Sequence, residues 1–191
     1  MYPFFLASIW WIFGENNILI IIFVQNILGI LTALIWSSIT WMVTKSEILA
    51  FLSGLICLLN LPIALLELRL LTEPLSSFLF SLSIYGVLKY CLSEQIRYLC
   101  LSGIVIGLLG ATRVSFGLFS LVPLLVLFFS KKNYSLSKIK LTIPLLLPSI
   151  VCISFVVGVN WYRVGYPTLS TWTGYNLTNT CLLYTSDAAD E

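Results

Sequence analysis

From residue 16 to residue 44 the chain contains no Lys, Arg, Asp or Glu, and most of these residues are large and apolar. A helix needs about 20 such residues to cross the hydrocarbon core of a bilayer, so this run is long enough to cross once. The whole chain is 59% hydrophobic and 9% charged, whereas about a quarter of the residues in an ordinary soluble domain are charged. The sequence therefore predicts a membrane protein and not a soluble globular domain.

Seven apolar segments are separated by short stretches that carry the charged residues. Each helical residue adds about 1.5 Å, so the second, third and last segments are long enough to cross a bilayer, whereas the first is expected to enter it only partly. We predict an all-α, polytopic transmembrane helix bundle of about six to seven membrane helices. The segments are 3–13, 18–43, 48–68, 75–91, 98–112, 114–130 and 141–160.

The positive charges predict the orientation of the bundle. The stretch "SKKNYSLSKIK" contains four lysines and no acid, and the positive-inside rule assigns such a loop to the cytoplasm. Lys89 and Arg97 flank a second loop that the same rule assigns to the same side. Alternation of the helices then brings Glu73, Arg113 and the polar segment 160–180 to the outer face. Three polar features far apart in the sequence are thus predicted to share one face of the membrane.

Two charged residues at this outer boundary are candidates for function. Glu73 precedes Pro74, a combination typical of the first turn of a helix, so Glu73 is either a helix cap or a group that orients a substrate or a cation. Arg113 follows the glycine-rich stretch "SGIVIGLLGAT". Its side chain either reaches to the membrane interface or binds a phosphate with its planar guanidinium. From the residues alone, both alternatives stay open for each side chain.

Small and polar residues within the apolar segments predict contacts between helices. Gly103, Gly107 and Gly110 form a small-residue face that lets another helix approach closely. Gln25 and Asn26 are predicted to hydrogen-bond to neighbouring helices. The chain has no His, and its cysteines lack CxxC spacing, so we predict no zinc or haem site.

Four stretches occur in an order that resembles a known family of membrane enzymes. They are "YPFFLASIWWIFG", "LLTEPL", "LSGIVIGLLGATRVSFGL" and "NWYRVGYPTLSTWTGYNL". Their order is similar to that in the GT-C glycosyltransferases of the bacterial protein O-mannosyltransferase-like and aminoarabinose transferase-like branch. The resemblance implies a multi-pass enzyme of the inner membrane. Such an enzyme moves a sugar from a polyprenyl-phosphate donor to a lipid, glycan or protein acceptor on the extracytoplasmic face.

The resemblance also implies roles for particular residues. Arg113 would meet the donor phosphate, and Glu73 would position that cation or the acceptor. Independently of the resemblance, Trp161 and Trp172 lie in the predicted outer segment, where they either stack on a sugar ring or belong to the interfacial aromatic belt. We assign no cofactor to this chain. A divalent metal remains an alternative for the complete protein of which this chain would be a part. No nucleic-acid partner is expected. The substrate-binding residues carried over are Glu73, Arg113, Tyr2, Asn160, Trp172 and Asn176.

The chain departs from the family pattern at both ends. The family's general base is an Asp in an outer loop upstream of the "YP" motif, but Met1 directly precedes Tyr2 here, and no Asp occurs before residue 187. The final stretch "CLLYTSDAADE" reads as a translated sequencing adapter. We therefore expect residues 1–180 to be a partial GT-C membrane module, inactive by itself, and residues 181–191 to be non-native.

Two other classes of protein are alternatives to the enzyme. A transporter or flippase predicts internal repeats with interrupted helices that meet near mid-membrane, and the sequence shows no such repeat. A non-enzymatic membrane subunit predicts that the boundary charges serve only as anchors.

Overall fold

The computed structural model describes residues 2–14, 17–59, 72–112, 121–129 and 138–169. Throughout these residues every regular element is an α-helix, so the predicted all-α class is confirmed. Each helix falls on one of the seven apolar segments, because those segments hold long runs of apolar residues that are interrupted only near the helix ends. The helices are α1 (Tyr2–Phe13), α2 (Ile18–Thr44), α3 (Glu47–Leu58), α4 (Glu73–Ser93), α5 (Ile96–Thr112), α6 (Leu121–Phe129) and α7 (Lys138–Val164).

Three of the described helices are long and apolar enough to cross a membrane, namely α2, α4 and α7. The helices α1, α3 and α5 are apolar but shorter. The third predicted segment is helical over 12 described residues, and its remainder from residue 60 lies outside the described part of the chain. The described residues thus supply three candidate spans, and the larger number predicted from the sequence is not established by them.

Two helices end in the same way, with a residue in the left-handed conformation. Lys45 has a φ of 57° and its N–H donates to the carbonyl oxygen of Trp41, 2.9 Å away. Glu94 also has a φ of 57° and bonds to Tyr90 at 2.8 Å. This C-cap satisfies a carbonyl at the helix end and reverses the chain within two residues. As a result, α2 packs against α3, and α4 packs against α5.

The α4–α5 pair is an antiparallel hairpin held by polar as well as apolar contacts. The Ser102 hydroxyl donates to the carbonyl oxygen of Ser83 at 2.7 Å, and both residues are buried. A hydrogen bond between helices satisfies a hydroxyl that would otherwise be costly to bury. Apolar side chains of α4, α5 and α7 form the core beneath it: Val87, Tyr90, Leu99, Ile106, Leu141 and Leu145.

The predicted glycine face is confirmed as the contact between α5 and α7. A Cβ placed on Gly103 would collide with the backbone oxygen of Leu145, and one on Gly107 would lie 2.5 Å from the Cβ of Cys152. Gly110 completes the face at an ordinary contact distance. Because the contact positions rise together along both helices, α5 and α7 run in the same direction.

The helix directions define two ends of the bundle. Residues 37–42 of α2 and 85–92 of α4 line one cavity near the C-terminal ends of both helices, so α2 and α4 also run in the same direction, opposite to α5 and α7. We call the end where α4 begins and α5 ends the glutamate end. The opposite end, the lysine end, carries most of the described cations: Lys45, Lys89, Arg97 and Lys140.

Candidate functional site

Glu73 is the first residue of α4, at the glutamate end of the bundle. The N–H of Ser76 donates to the carbonyl oxygen of Thr72 at 3.0 Å and closes the first turn. Pro74 lies within this turn, where its missing N–H leaves no unsatisfied donor. The Thr72 hydroxyl donates to Glu73 Oε2 at 3.4 Å. The sequence prediction that Glu73 and Pro74 open a helix is confirmed, and the half-buried carboxylate lies where the helix dipole favours negative charge.

The C-terminal end of α5 packs against this first turn. The hydroxyl of Ser76, which is fully buried, lies 3.4 Å from the hydroxyl of Thr112. Thr112 also donates to the carbonyl oxygen of Leu109 at 2.6 Å. Arg113 follows Thr112 directly but lies outside the described residues. The position of its guanidinium relative to Glu73 therefore stays a prediction.

Tyr2 reaches the same site from the beginning of α1. Gln25, only 1% exposed, donates from Nε2 to the Tyr2 hydroxyl at 3.2 Å. Burial raises the pKa of Tyr2 above its ordinary value of 10.0, the hydrogen bond from Gln25 opposes that rise, and the negative charge of Glu73 adds to it. The charge of Glu73 therefore acts on Tyr2, although the helices α1, α2 and α3 separate the two residues in the sequence.

Asn160 lies one turn before the end of α7 and binds backbone atoms of the segment that follows. Its Nδ2 donates to the carbonyl oxygens of Thr168, at 2.7 Å, and Leu169, at 3.3 Å. Gly165, with a φ of +81°, reverses the chain between donor and acceptors, a conformation that glycine adopts without strain. The described contacts of Asn160 are thus structural, and its role in substrate binding stays a prediction.

The remaining predicted site residues, Trp172 and Asn176, lie outside the described part of the chain. Of the two amides predicted to link helices, Gln25 does bond to α1, whereas the described bond of Asn26 goes to the carbonyl oxygen of Ile22 in its own helix, at 2.8 Å. The sequence predicted that Gln25 bonds to another helix. It did not identify the Tyr2 hydroxyl as the partner, because that depends on packing that spacing alone does not reveal.

The described polar groups at the glutamate end are the Glu73 carboxylate, the Tyr2 phenol, the Gln25 amide and the hydroxyls of Thr72, Ser76 and Thr112. Gln25 and Ser76 are buried. The partly exposed carboxylate, phenol and two other hydroxyls are the groups that can reach a polyhydroxylated substrate. Within the described residues, no three His, Cys, Asp or Glu side chains cluster so as to hold a metal ion. The chain matches no protein-family model, no curated protein and no solved structure.

Proposed function

We propose that this chain is part of the membrane module of a glycosyltransferase that uses a polyprenyl-phosphate-linked sugar. The enzyme transfers the sugar to a lipid, glycan or protein acceptor at the extracytoplasmic face of the inner membrane. The observation that best supports the proposal is the packing of the end of α5, next in sequence to Arg113, against the first turn of α4, which begins with Glu73. Tyr2 is near enough for the charge of Glu73 to help raise its pKa.

The chemistry of the reaction suggests separate roles for Arg113 and Glu73. When the bond between sugar and phosphate breaks, negative charge develops on the phosphate. A fixed guanidinium stabilises that charge most effectively where water is scarce. Arg113 is the proposed partner of this phosphate. Glu73, at the start of α4, holds the guanidinium in place or orients the hydroxyl of the acceptor.

The proposed enzyme crosses the membrane six to seven times. The helices α2, α4 and α7 supply three crossings by length and apolarity. At 1.5 Å per residue the 17 residues of α5 span about 25 Å, close to the thickness of the hydrocarbon core. The other crossings are assigned to the segments around α3 and α6, and the lysine end is placed in the cytoplasm because of its charge.

Sugar transfer is tested in membrane vesicles that contain the complete protein to which this chain belongs. A radiolabelled polyprenyl-phosphate sugar is supplied, and label in the acceptor fraction is counted for the native protein and for Arg113→Ala. We expect transfer by the native protein and its loss in the variant. Arg163→Ala is the matched control, because Arg163 is an exposed guanidinium in the last turn of α7 at the same end of the bundle.

The outcomes separate the proposal from its rivals. Unchanged turnover in Arg113→Ala removes the proposed role of that residue. A complete protein that moves labelled lipid-linked sugar across the bilayer without transferring it is a flippase. One that does neither is a non-enzymatic membrane subunit.

A further inference from the structure

A cavity of about 490 Å³ lies at the lysine end, far from Glu73. It is formed by the C-terminal parts of α2 and α4 and by the first turns of α3. Its volume falls within the range of about 300–1,000 Å³ that is typical of ligand sites. Since it occupies the helix ends, it lies at the depth of lipid headgroups when the three long helices cross a bilayer.

The cavity lining carries one negative and one positive side chain. Glu47 is the first residue of α3 and is exposed, and Lys89 lies in the penultimate turn of α4. The hydroxyl-bearing Ser37 also lines the cavity. A ligand with a single negative charge would satisfy Lys89 and leave Glu47 facing an anion. A zwitterion with one charge of each sign matches both residues.

The aromatic residues of the cavity narrow the kind of cation that fits. Lys45 Nζ lies 4.7 Å from the centre of the Trp41 ring, and Lys89 Nζ lies 6.0 Å from that of Tyr85. Both rings therefore already contact a lysine, whereas a quaternary ammonium is bound by several aromatic faces at once. A primary ammonium, which donates hydrogen bonds to a carboxylate, is the better match for Glu47.

An apolar side chain extends the cavity lining from Glu47 towards the membrane interior. Phe51 lies one turn further into α3 than Glu47, lines the cavity and is 67% exposed on the surface of the bundle. It lies where the first carbons of acyl chains would pass. The lining thus combines two charges with an exposed apolar side chain at greater depth, as a lipid and not a free headgroup requires.

We propose that this cavity binds an aminophospholipid, with the phosphate on Lys89, the primary ammonium on Glu47 and the acyl chains along Phe51. The ligand differs from the proposed sugar donor in chemistry and in position, since it binds at the opposite end of the bundle. The inference requires only that α2, α4 and α7 cross a bilayer and does not depend on sugar transfer.

The test measures which lipids stay bound to the complete protein. The protein is reconstituted in vesicles of equal parts phosphatidylethanolamine, phosphatidylglycerol and phosphatidylcholine, extracted in mild detergent and analysed by native mass spectrometry. We expect phosphatidylethanolamine to be retained above the other two. Lys89→Gln is expected to lower its retention about fivefold, the effect of one cation near a membrane surface. Glu47→Gln is expected to abolish the preference over phosphatidylglycerol.

Two further variants keep the result interpretable if a charge substitution harms folding. Ala50→Leu fills the cavity without altering its charge and is expected to reduce retention of all three lipids. Lys140→Gln removes an exposed lysine of the same end that does not line the cavity, and it is expected to change nothing. Preference for phosphatidylglycerol or phosphatidylcholine, equal retention of all three lipids, or thermal stabilisation by inorganic phosphate alone would each overturn the proposal.

Discussion

The hydroxyl oxygens of Ser76 and Thr112 lie 3.4 Å apart across 36 positions of sequence. Ser76 is in the first turn of α4 and Thr112 is the last residue of α5. Their contact brings the chain that leads into Arg113 against the turn that begins with Glu73. The backbone segments that carry Glu73 and lead into Arg113 are therefore neighbours, as the proposed pairing of their side chains requires.

Cross-linking tests this contact directly. In a protein whose five cysteines are replaced by alanine, Ser76→Cys with Thr112→Cys is expected to form a disulfide under mild oxidation. Side-chain atoms this close allow the Cβ separation that a disulfide needs. Mass spectrometry of the cleaved protein detects the linked peptides. The pair Ser93→Cys with Thr112→Cys, at opposite ends of the hairpin, is the control, and equal linkage of both pairs would contradict the packing.

The contact between α5 and α7 predicts a strong difference between two glycine substitutions. Gly103→Ala places a methyl group against the backbone oxygen of Leu145, so the free energy of unfolding is expected to fall by about 1–3 kcal/mol. Gly158→Ala meets nothing within 4 Å and is expected to raise it by up to about 1 kcal/mol through better helix propensity. Thermal unfolding in detergent measures both. Equal effects of the two substitutions would show that α5 and α7 are not in close contact.

The apolar runs predicted where helices form, because each run can be buried in lipid or in the core only as a helix with its backbone bonded internally. For the segment predicted at 98–112 the structure has Ile96–Thr112. Pro74 correctly predicted the first turn of a helix, and the glycine face correctly predicted a close contact between helices. Both predictions depend only on the local properties of these residue types. By contrast, the meeting of Tyr2 with Gln25 depends on which helix faces pack together, and neither spacing nor composition determines that.

The Tyr2 hydroxyl provides a test of the glutamate end that is independent of catalysis. Tyr2 lies in α1, which is not among the three candidate spans. The negative charge of Glu73 helps to raise the pKa of Tyr2, so Glu73→Gln is expected to lower it. Gln25→Leu removes a hydrogen bond that opposes the rise and is expected to increase it. Phenolate absorbance, measured against Tyr2→Phe, reports both shifts, and no shift in either variant would contradict the effect of the Glu73 charge and the hydrogen bond from Gln25.

The same raised pKa predicts how stability depends on pH. The folded state favours the neutral phenol of Tyr2, so its contribution is complete below the ordinary tyrosine pKa of about 10 and is lost as the pH rises through the higher pKa of the folded state. Between pH 8 and pH 11 the native protein is therefore expected to lose thermal stability more steeply than Tyr2→Phe. The slopes of thermal stability against pH are compared and not its absolute values, because Tyr2→Phe also removes the hydrogen bond from Gln25 and so changes stability at every pH. Parallel curves would show that the folded state does not favour the neutral phenol.

Asn160 is expected to hold the segment after α7 in place. Its two hydrogen bonds to the carbonyl oxygens of Thr168 and Leu169 together contribute about 1–2 kcal/mol, which corresponds to a factor of about 5–30 in an opening equilibrium. Asn160→Ala is therefore expected to speed amide hydrogen exchange in residues 165–169 by about that factor.

Asn17→Ala is the matched control for this measurement, because Asn17 is exposed and its side chain makes no capping hydrogen bond to α2. Exchange in residues 165–169 should be the same in this variant as in the native protein. If Asn160→Ala also leaves exchange unchanged while sugar transfer falls, the amide acts on the substrate and not on the backbone. If exchange rises and transfer falls with it, Asn160 contributes to the site by positioning the segment after α7.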